Sequence, residues 1–187
     1  MEFNFLKHIL SQENPSKFIK EHENLIFKII PELSICKGFN QNNMWHIYDI
    51  YDHILCVVDN VPNNINLRLA ALFHDIGKPF VYKEDEDGVG HFYGHWEKSK
   101  EIFIKFANEY RISDKDKNLI CNLIFYHDMN VDRMIKEEIK EMIDNLSYEG
   151  IIMLFELKKS DLLAQNPKFH YLLNNYEIQK QKTLKLK

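Results

Sequence analysis

The sequence predicts an all-α fold. Apolar residues recur with helical spacing along nearly every segment. Proline and cap residues punctuate the chain between those segments. One stretch alone, residues 80–93, carries strand and turn signals. From the start, Asn14-Pro15 supplies a cap and a first-turn proline for a helix bearing Phe18, Ile19, Leu25, Ile26 and Ile29, which stops near Pro31. A second helix is expected over residues 44–59 and a third over residues 66–74. In residues 80–93, two short aromatic or β-branched arms flank Glu84-Asp85-Glu86-Asp87-Gly88, where Asp-Gly signals a hairpin turn. Ser113 with Asp116 forms a capping-box-like start, Asp replacing the usual Glu, ahead of Leu119, Ile120, Leu123 and Ile124. Further helices are expected over residues 133–143 and 148–164, with Asn166-Pro167 ending the last. Residues 179–187 are polar and basic and are expected to fray.

At 187 residues, with no internal repeat or interdomain linker, the chain reads as a single domain with one sizeable core. An apolar content of 45% argues against disorder. The net charge of −4 disfavours a protein held on nucleic acid mainly by its overall field, although a local basic patch is left open. Cys36, Cys56 and Cys121 are odd in number, far apart and in apolar contexts, so they read as reduced packing residues. The first residues show no basic-then-apolar leader, and no run reaches the roughly 20 apolar residues that span a bilayer. A cytoplasmic protein with no membrane partner is expected.

The chemistry concentrates in polar residues set within or beside apolar helical stretches: His53, His74, Asp75, His95, His127 and Asp161. A lone histidine on such a face is ordinarily a packed, hydrogen-bonded group. The vicinal pair His74-Asp75 changes that reading. Successive side chains on a regular helix diverge by about 100°, so one ion meets both most easily where a helix ends. Gly77 and Pro79 provide that ending. An ionised Asp in an apolar helix costs several kcal/mol unless paired, and a divalent cation compensates it; Asp161 needs the same explanation. His53, His74, Asp75 and Asp161 make a mixed nitrogen–oxygen site without thiolate, unlike a closed structural zinc. His95 and His127 are then available to a second ion, with Asp75 bridging. The expected cofactor is one or two divalent transition metal ions, manganese, iron, cobalt, nickel or zinc.

The run Leu67-Arg68-Leu69-Ala70-Ala71-Leu72-Phe73-His74-Asp75-Ile76-Gly77-Lys78-Pro79 resembles the signature of the HD superfamily of metal-dependent phosphohydrolases. Across residues 45–166 the likeness is to the HD domain of bacterial tRNA nucleotidyltransferases and its free-standing relatives. It is carried by Trp45-His46-Ile47-Tyr48-Asp49, by residues 85–95 with Glu97 and Ser99, by Tyr110-Arg111-Ile112-Ser113, by Phe125-Tyr126-His127-Asp128 and by Ser160-Asp161. The resemblance implies an HD-type helical bundle with a small hairpin insertion. Its core would span residues 45–166, with N-terminal helices over 1–40 and a helical tail over 168–187. The 187 residues contain no nucleotidyltransferase module, so tRNA end synthesis is not expected of them. Two departures narrow the family reading. Lys78 stands where HD enzymes of the 5′-deoxynucleotidase type carry a catalytic Glu, and the Gly-Tyr-Pro motif of the cyclic-dinucleotide branch is absent.

The implied activity is hydrolysis of a nucleotide-like phosphomonoester or cyclic phosphodiester by metal-activated hydroxide. Asp75 would orient the nucleophile and Lys78 would neutralise phosphate charge. Arg68, Arg111 and His91 are further candidates on the substrate side, and His46 is either a pocket residue or packing. His8, His22 and His170 receive no role. Two alternatives stay open: a diiron HD-type oxygenase, and a non-catalytic binding module stabilised by its metal. The expected partner is a small phosphoester, with nucleic acid not favoured and the oligomeric state unassigned.

Overall fold

The computed structural model describes residues 2–186. Helix α1 (Glu2–Leu10) leads into α2 (Pro15–Glu21), α3 (Glu23–Ile29) and α4 (Pro31–Cys36), all short. Pro15 and Pro31 each occupy the first turn of a helix, where a missing N–H costs nothing. The single helix expected up to Pro31 is broken at His22, whose φ of −114° leaves the helical region. Helix α5 (Ile50–Asn60) starts later than expected. Asp49 caps it by accepting from the Asp52 amide at 2.7 Å, so residues 44–49 form a loop instead of a first turn. Helix α6 (Ile65–Phe73) is capped by Asn64.

A tight turn then carries His74 to Gly77 into the four-residue α7 (Lys78–Val81). The hairpin follows as β1 (Lys83–Glu84) paired antiparallel with β2 (Gly90–His91), in the register Lys83↔His91. Gly90 lies so close to the 39–49 loop that a Cβ there would sit 2.3 Å from the Gln41 carbonyl oxygen. Helix α8 (His95–Glu109) and α9 (Asp114–Tyr126) come next, α9 capped by Ser113 as the sequence indicates. Helix α10 (Lys136–Ala164) holds both of the expected later helices. They meet at Ser147, whose φ of 62° breaks the helical geometry without separating them. Helix α11 (Leu173–Leu184) takes in residues 179–184 of the stretch expected to fray, with Gln179 and Thr183 buried against the rest of the fold; the last residue of that stretch lies outside the described residues.

Helices α5, α6, α9 and α10 pack side by side, with α8 covering α9 and α11 covering α10. Tyr51, Ile54, Phe73, Phe103, Ile120 and Leu154 are all essentially inaccessible to solvent. Each such side chain contributes about 1.5–3 kcal/mol through burial. The cysteines are free, Cys36 and Cys121 buried and Cys56 half-buried, in keeping with a packing role. Among the described residues no helix is long and apolar enough to cross a membrane.

Candidate metal centre

Helix ends bring the polar residues together. His74 and Asp75 lie in the turn between α6 and α7, His95 opens α8, and His127 directly follows α9. His53 points in from α5 and Asp161 from α10. Gly77 allows the approach of α8: a Cβ there would meet the His95 carbonyl oxygen and the Ser99 amide at 2.6 Å. The Gly77 amide donates instead to the Ser99 hydroxyl at 2.9 Å.

Asp75, 2% exposed, is the hub. Its Oδ2 lies 3.3 Å from His53 Nε2, 3.3 Å from His74 Nε2 and 2.7 Å from Lys78 Nζ. Its Oδ1 lies 3.3 Å from His95 Nε2 and 3.5 Å from His127 Nε2. Asp161 adds Oδ1 at 3.0 Å from His53 Nε2. The opposite ring nitrogens face backbone carbonyls: His74 Nδ1 with Ala71 at 2.7 Å, His127 Nδ1 with Ile124 at 2.7 Å, His95 Nδ1 with Phe92 at 2.9 Å, and His53 Nδ1 with Ala164 at 3.4 Å. A carbonyl only accepts, so each Nδ1 donates to it and each Nε2 is turned inward; those of His53 and His74 face the carboxylates.

This arrangement fits a metal better than it fits a hydrogen-bond network. His53 Nε2, His74 Nε2 and Asp75 Oδ1 are buried without an aligned hydrogen-bond partner. His95 Nε2 and His127 Nε2 are 3.2 Å apart, a repulsive contact between lone pairs that an intervening cation relieves. Three overlapping donor sets have ligand atoms within 4.8 Å of one another: His46, His53 and Asp75; His53, His74 and Asp161; and His74, Asp75 and His127. Imidazole nitrogen with carboxylate oxygen suits a divalent transition ion.

The electrostatics agree. Burial alone would keep the His53 ring neutral, but Asp161 and Asp75 outweigh it and hold its pKa up at about 9. Burial opposes the Asp75 charge, yet His74 and Lys78 keep that carboxyl well below the usual range. Asp161 is held low against its own burial by His53. His127 is pushed down by burial.

The cluster forms the floor of a cavity of about 500 Å³, lined also by Trp45, His46, His91, Tyr93, Trp96, Arg133, Lys158 and Tyr176. Lys78 is 5% exposed and reaches this cavity with all of its donors engaged. It donates to Asp75, to Gln41 Oε1 at 2.9 Å and to His46 Nε2 at 3.4 Å. His46 is pocket-lining: burial, then the Lys78 ammonium, pushes its pKa down to about 2, leaving it a neutral acceptor.

Two basic candidates do not reach the site. Arg68 is 3% exposed and points away from the cavity, donating to the carbonyls of Leu10 and, at 2.7 Å, Gln12; it fastens the end of α1. Arg111 is exposed in the turn after α8, with φ of 52°. That turn lies roughly 20 Å from His95 along the helix. His91 does line the cavity, but its Nε2 is engaged by Asp85 Oδ2 at 2.8 Å.

Sequence reasoning passed over Lys158, Arg133 and Gln41. Lys158, 2% exposed, ties the turn after α9 to α10 by donating to the carbonyls of His127 at 2.5 Å and Met129 at 2.8 Å. Burial draws its pKa down to about 8. Beside Lys159 on an amphipathic helix, nothing in the sequence separates it from a solvated lysine.

The chain is 35% identical over 88 residues to a CC-adding tRNA nucleotidyltransferase of Thermus thermophilus, covering 44% of this chain and 20% of the relative. It is 31% identical over 128 residues to a multifunctional CCA protein of Shewanella frigidimarina, covering 59% of this chain and 30% of the relative. The match therefore spans less than a third of either relative's length. The family model of the HD domain matches residues 46–155, a stretch that contains His53, His74, Asp75, His95 and His127. By that match, and with its helical bundle gathered around a buried His-Asp centre, the chain belongs to the HD domain family.

Proposed function

We propose that this protein is a metal-dependent phosphohydrolase acting on a nucleotide-like phosphomonoester or cyclic phosphodiester. One observation carries the reading. Inward-facing imidazole nitrogens and two carboxylates share the floor of one open cavity with a buried ammonium. His53, His74, Asp75 and Asp161 would hold one divalent transition ion, and His95 with His127 a second that shares Asp75. Such an ion supplies Lewis acidity, lowering the pKa of water toward about 7 and drawing charge from a phosphoryl oxygen.

The chain's own groups do the rest. Asp75 and Asp161 are held ionised, so both can fix the orientation of an attacking water by accepting its hydrogen bonds. Lys78 places positive charge at the cavity floor. Its contact with His46 is the longest of its three, and a phosphate oxygen would replace that partner while Asp75 and Gln41 keep the ammonium in place. Lys158 fixes the His127 backbone and so the distance between the two halves of the centre. The free cysteines support a cytoplasmic location.

The test is elemental analysis of protein purified without chelator, followed by a panel of phosphomonoesters and cyclic phosphodiesters assayed with each candidate metal. Turnover abolished by chelator and restored by a single type of ion is expected. Oxygen consumption with ferrous iron in place of phosphoester turnover would favour the oxygenase reading. A metal bound with neither activity would leave the binding module.

A further inference from the structure

We propose that His91 and Tyr93, where the hairpin meets the cavity, form a stacking platform for the nucleobase of the substrate. The proposal deepens the hydrolase reading and rests on it for the phosphate end of the ligand. Tyr93 is 75% exposed, more than any other large apolar side chain described. Such exposure is unfavourable for a ring that serves only packing. Its ring lies parallel to that of His91, with centroids 5.4 Å apart and planes at 8°. The two rings are offset and overlap only in part, so most of the Tyr93 ring is left open to a second stacking partner. Both residues line the cavity whose floor is the His-Asp cluster. A volume of about 500 Å³ falls within the range of small-ligand sites.

The platform is held rigidly. His91 Nε2 meets Asp85 Oδ2 at 2.8 Å, and its Nδ1 lies 3.4 Å from the Tyr93 hydroxyl. Asp85 is itself fixed by the amides of Asp87 and Val89. The Gly90 amide donates to the Asn42 carbonyl at 2.9 Å, pinning the strand that carries His91 to the neighbouring loop. With both ring nitrogens engaged, the surface His91 offers is its flat face, which buttresses Tyr93. Every nucleobase has a π-face, so stacking here selects for a base without selecting which one.

The experiment compares adenosine 5′-monophosphate with ribose 5-phosphate, which lacks the base, in two ways. Calorimetric titration of the chelator-treated protein measures binding without turnover, and kcat/KM of the metal-loaded protein measures hydrolysis. The expected result is tighter binding of the nucleotide. In Tyr93→Ala the preference for nucleotide over sugar phosphate should fall roughly 5- to 150-fold, the range that base–aromatic stacking supplies. Tyr93→Phe, which keeps the ring, should retain that preference. Base-dependent binding lost in Tyr93→Ala, in a protein that turns over neither compound nor any member of the phosphomonoester and cyclic phosphodiester panel, would sustain the platform and overturn the hydrolase reading. No difference between the two ligands, including no binding of either, would overturn the platform whatever the turnover. So would a Tyr93→Ala variant that weakens both ligands equally.

Discussion

His53 turns metal binding into a competition with a proton. Its ring lies between Asp75 and Asp161 and is held protonated to about pH 9 when no metal is bound. A metal ligand must present a neutral nitrogen, so binding has to expel that proton. At pH 7 this means removing it about two pH units below the ring's pKa, which weakens apparent affinity on the order of a hundredfold. At pH 8 the penalty falls to about tenfold. Affinity should therefore rise close to tenfold between pH 7 and 8 and about fivefold more to pH 9, with about one proton released per ion from this ring at pH 7 and about half of one at pH 9. Folding of the metal-free protein moves the other way. A histidine whose pKa is raised on folding stabilises the native state fully below its ordinary 6.5, and that contribution is lost as the pH climbs through about 9. The assay is calorimetric titration with manganese at several pH values, in buffers of differing ionisation enthalpy so that the proton is counted directly. Affinity that stays flat between pH 7 and 8.5, with no proton released, would refute the argument and place His53 outside the coordination sphere.

Other outcomes follow from the same contacts. Asp75→Asn should abolish metal binding and turnover while preserving the far-ultraviolet helical signal. It leaves Lys78 buried without its counter-ion, at a cost of about 3–5 kcal/mol, so the metal-free variant should melt roughly 6–20 °C lower by calorimetry. Lys78→Ala should keep its metal by elemental analysis yet lose roughly 10²–10³ in kcat, the loss typical of one charge-stabilising donor; near-normal turnover would limit Lys78 to a structural role. Gly77→Ala forces a Cβ against the first turn of α8. Overpacking of that kind costs about 1–3 kcal/mol, and the displacement of His95 should appear as weaker metal affinity in the same titration.

The cluster was legible because charge inside apolar helices demands a partner, and His74-Asp75 followed by Gly77 and Pro79 marks where a helix must end. Asp85 to Gly88 likewise announced the hairpin through turn chemistry that is local in sequence. What escaped was set by distant contacts. Arg68 was a substrate-side candidate or a surface ion-pair residue from its place on the helix of His74, but the carbonyls of Leu10 and Gln12 that claim it are 56 to 58 residues away. Lys158 and Gln41 acquire their roles only when α9, α10 and the loop before α5 converge. The break at His22 and the late start of α5 turn on local backbone geometry that apolar periodicity does not register. The helix runs on past Gln179 to Leu184, where Gln179 donates to Asp132 at 2.7 Å and Thr183 is buried, contacts that composition cannot foretell.

The hold of Arg68 on α1 also bears on how this domain can be handled or reused. The family match outlines residues 46–155, whereas the carbonyls that hold Arg68 lie at Leu10 and Gln12, and Asp161 stands beyond the other edge. A piece trimmed to the matched stretch would lose the carbonyls that hold Arg68, uncover the face of α6 that α1 packs on, and remove one carboxylate from the centre. The smallest portable unit is therefore wider than the region of resemblance. Fusions, grafts and minimal versions of this protein need α1 at one end and the last turn of α10 at the other.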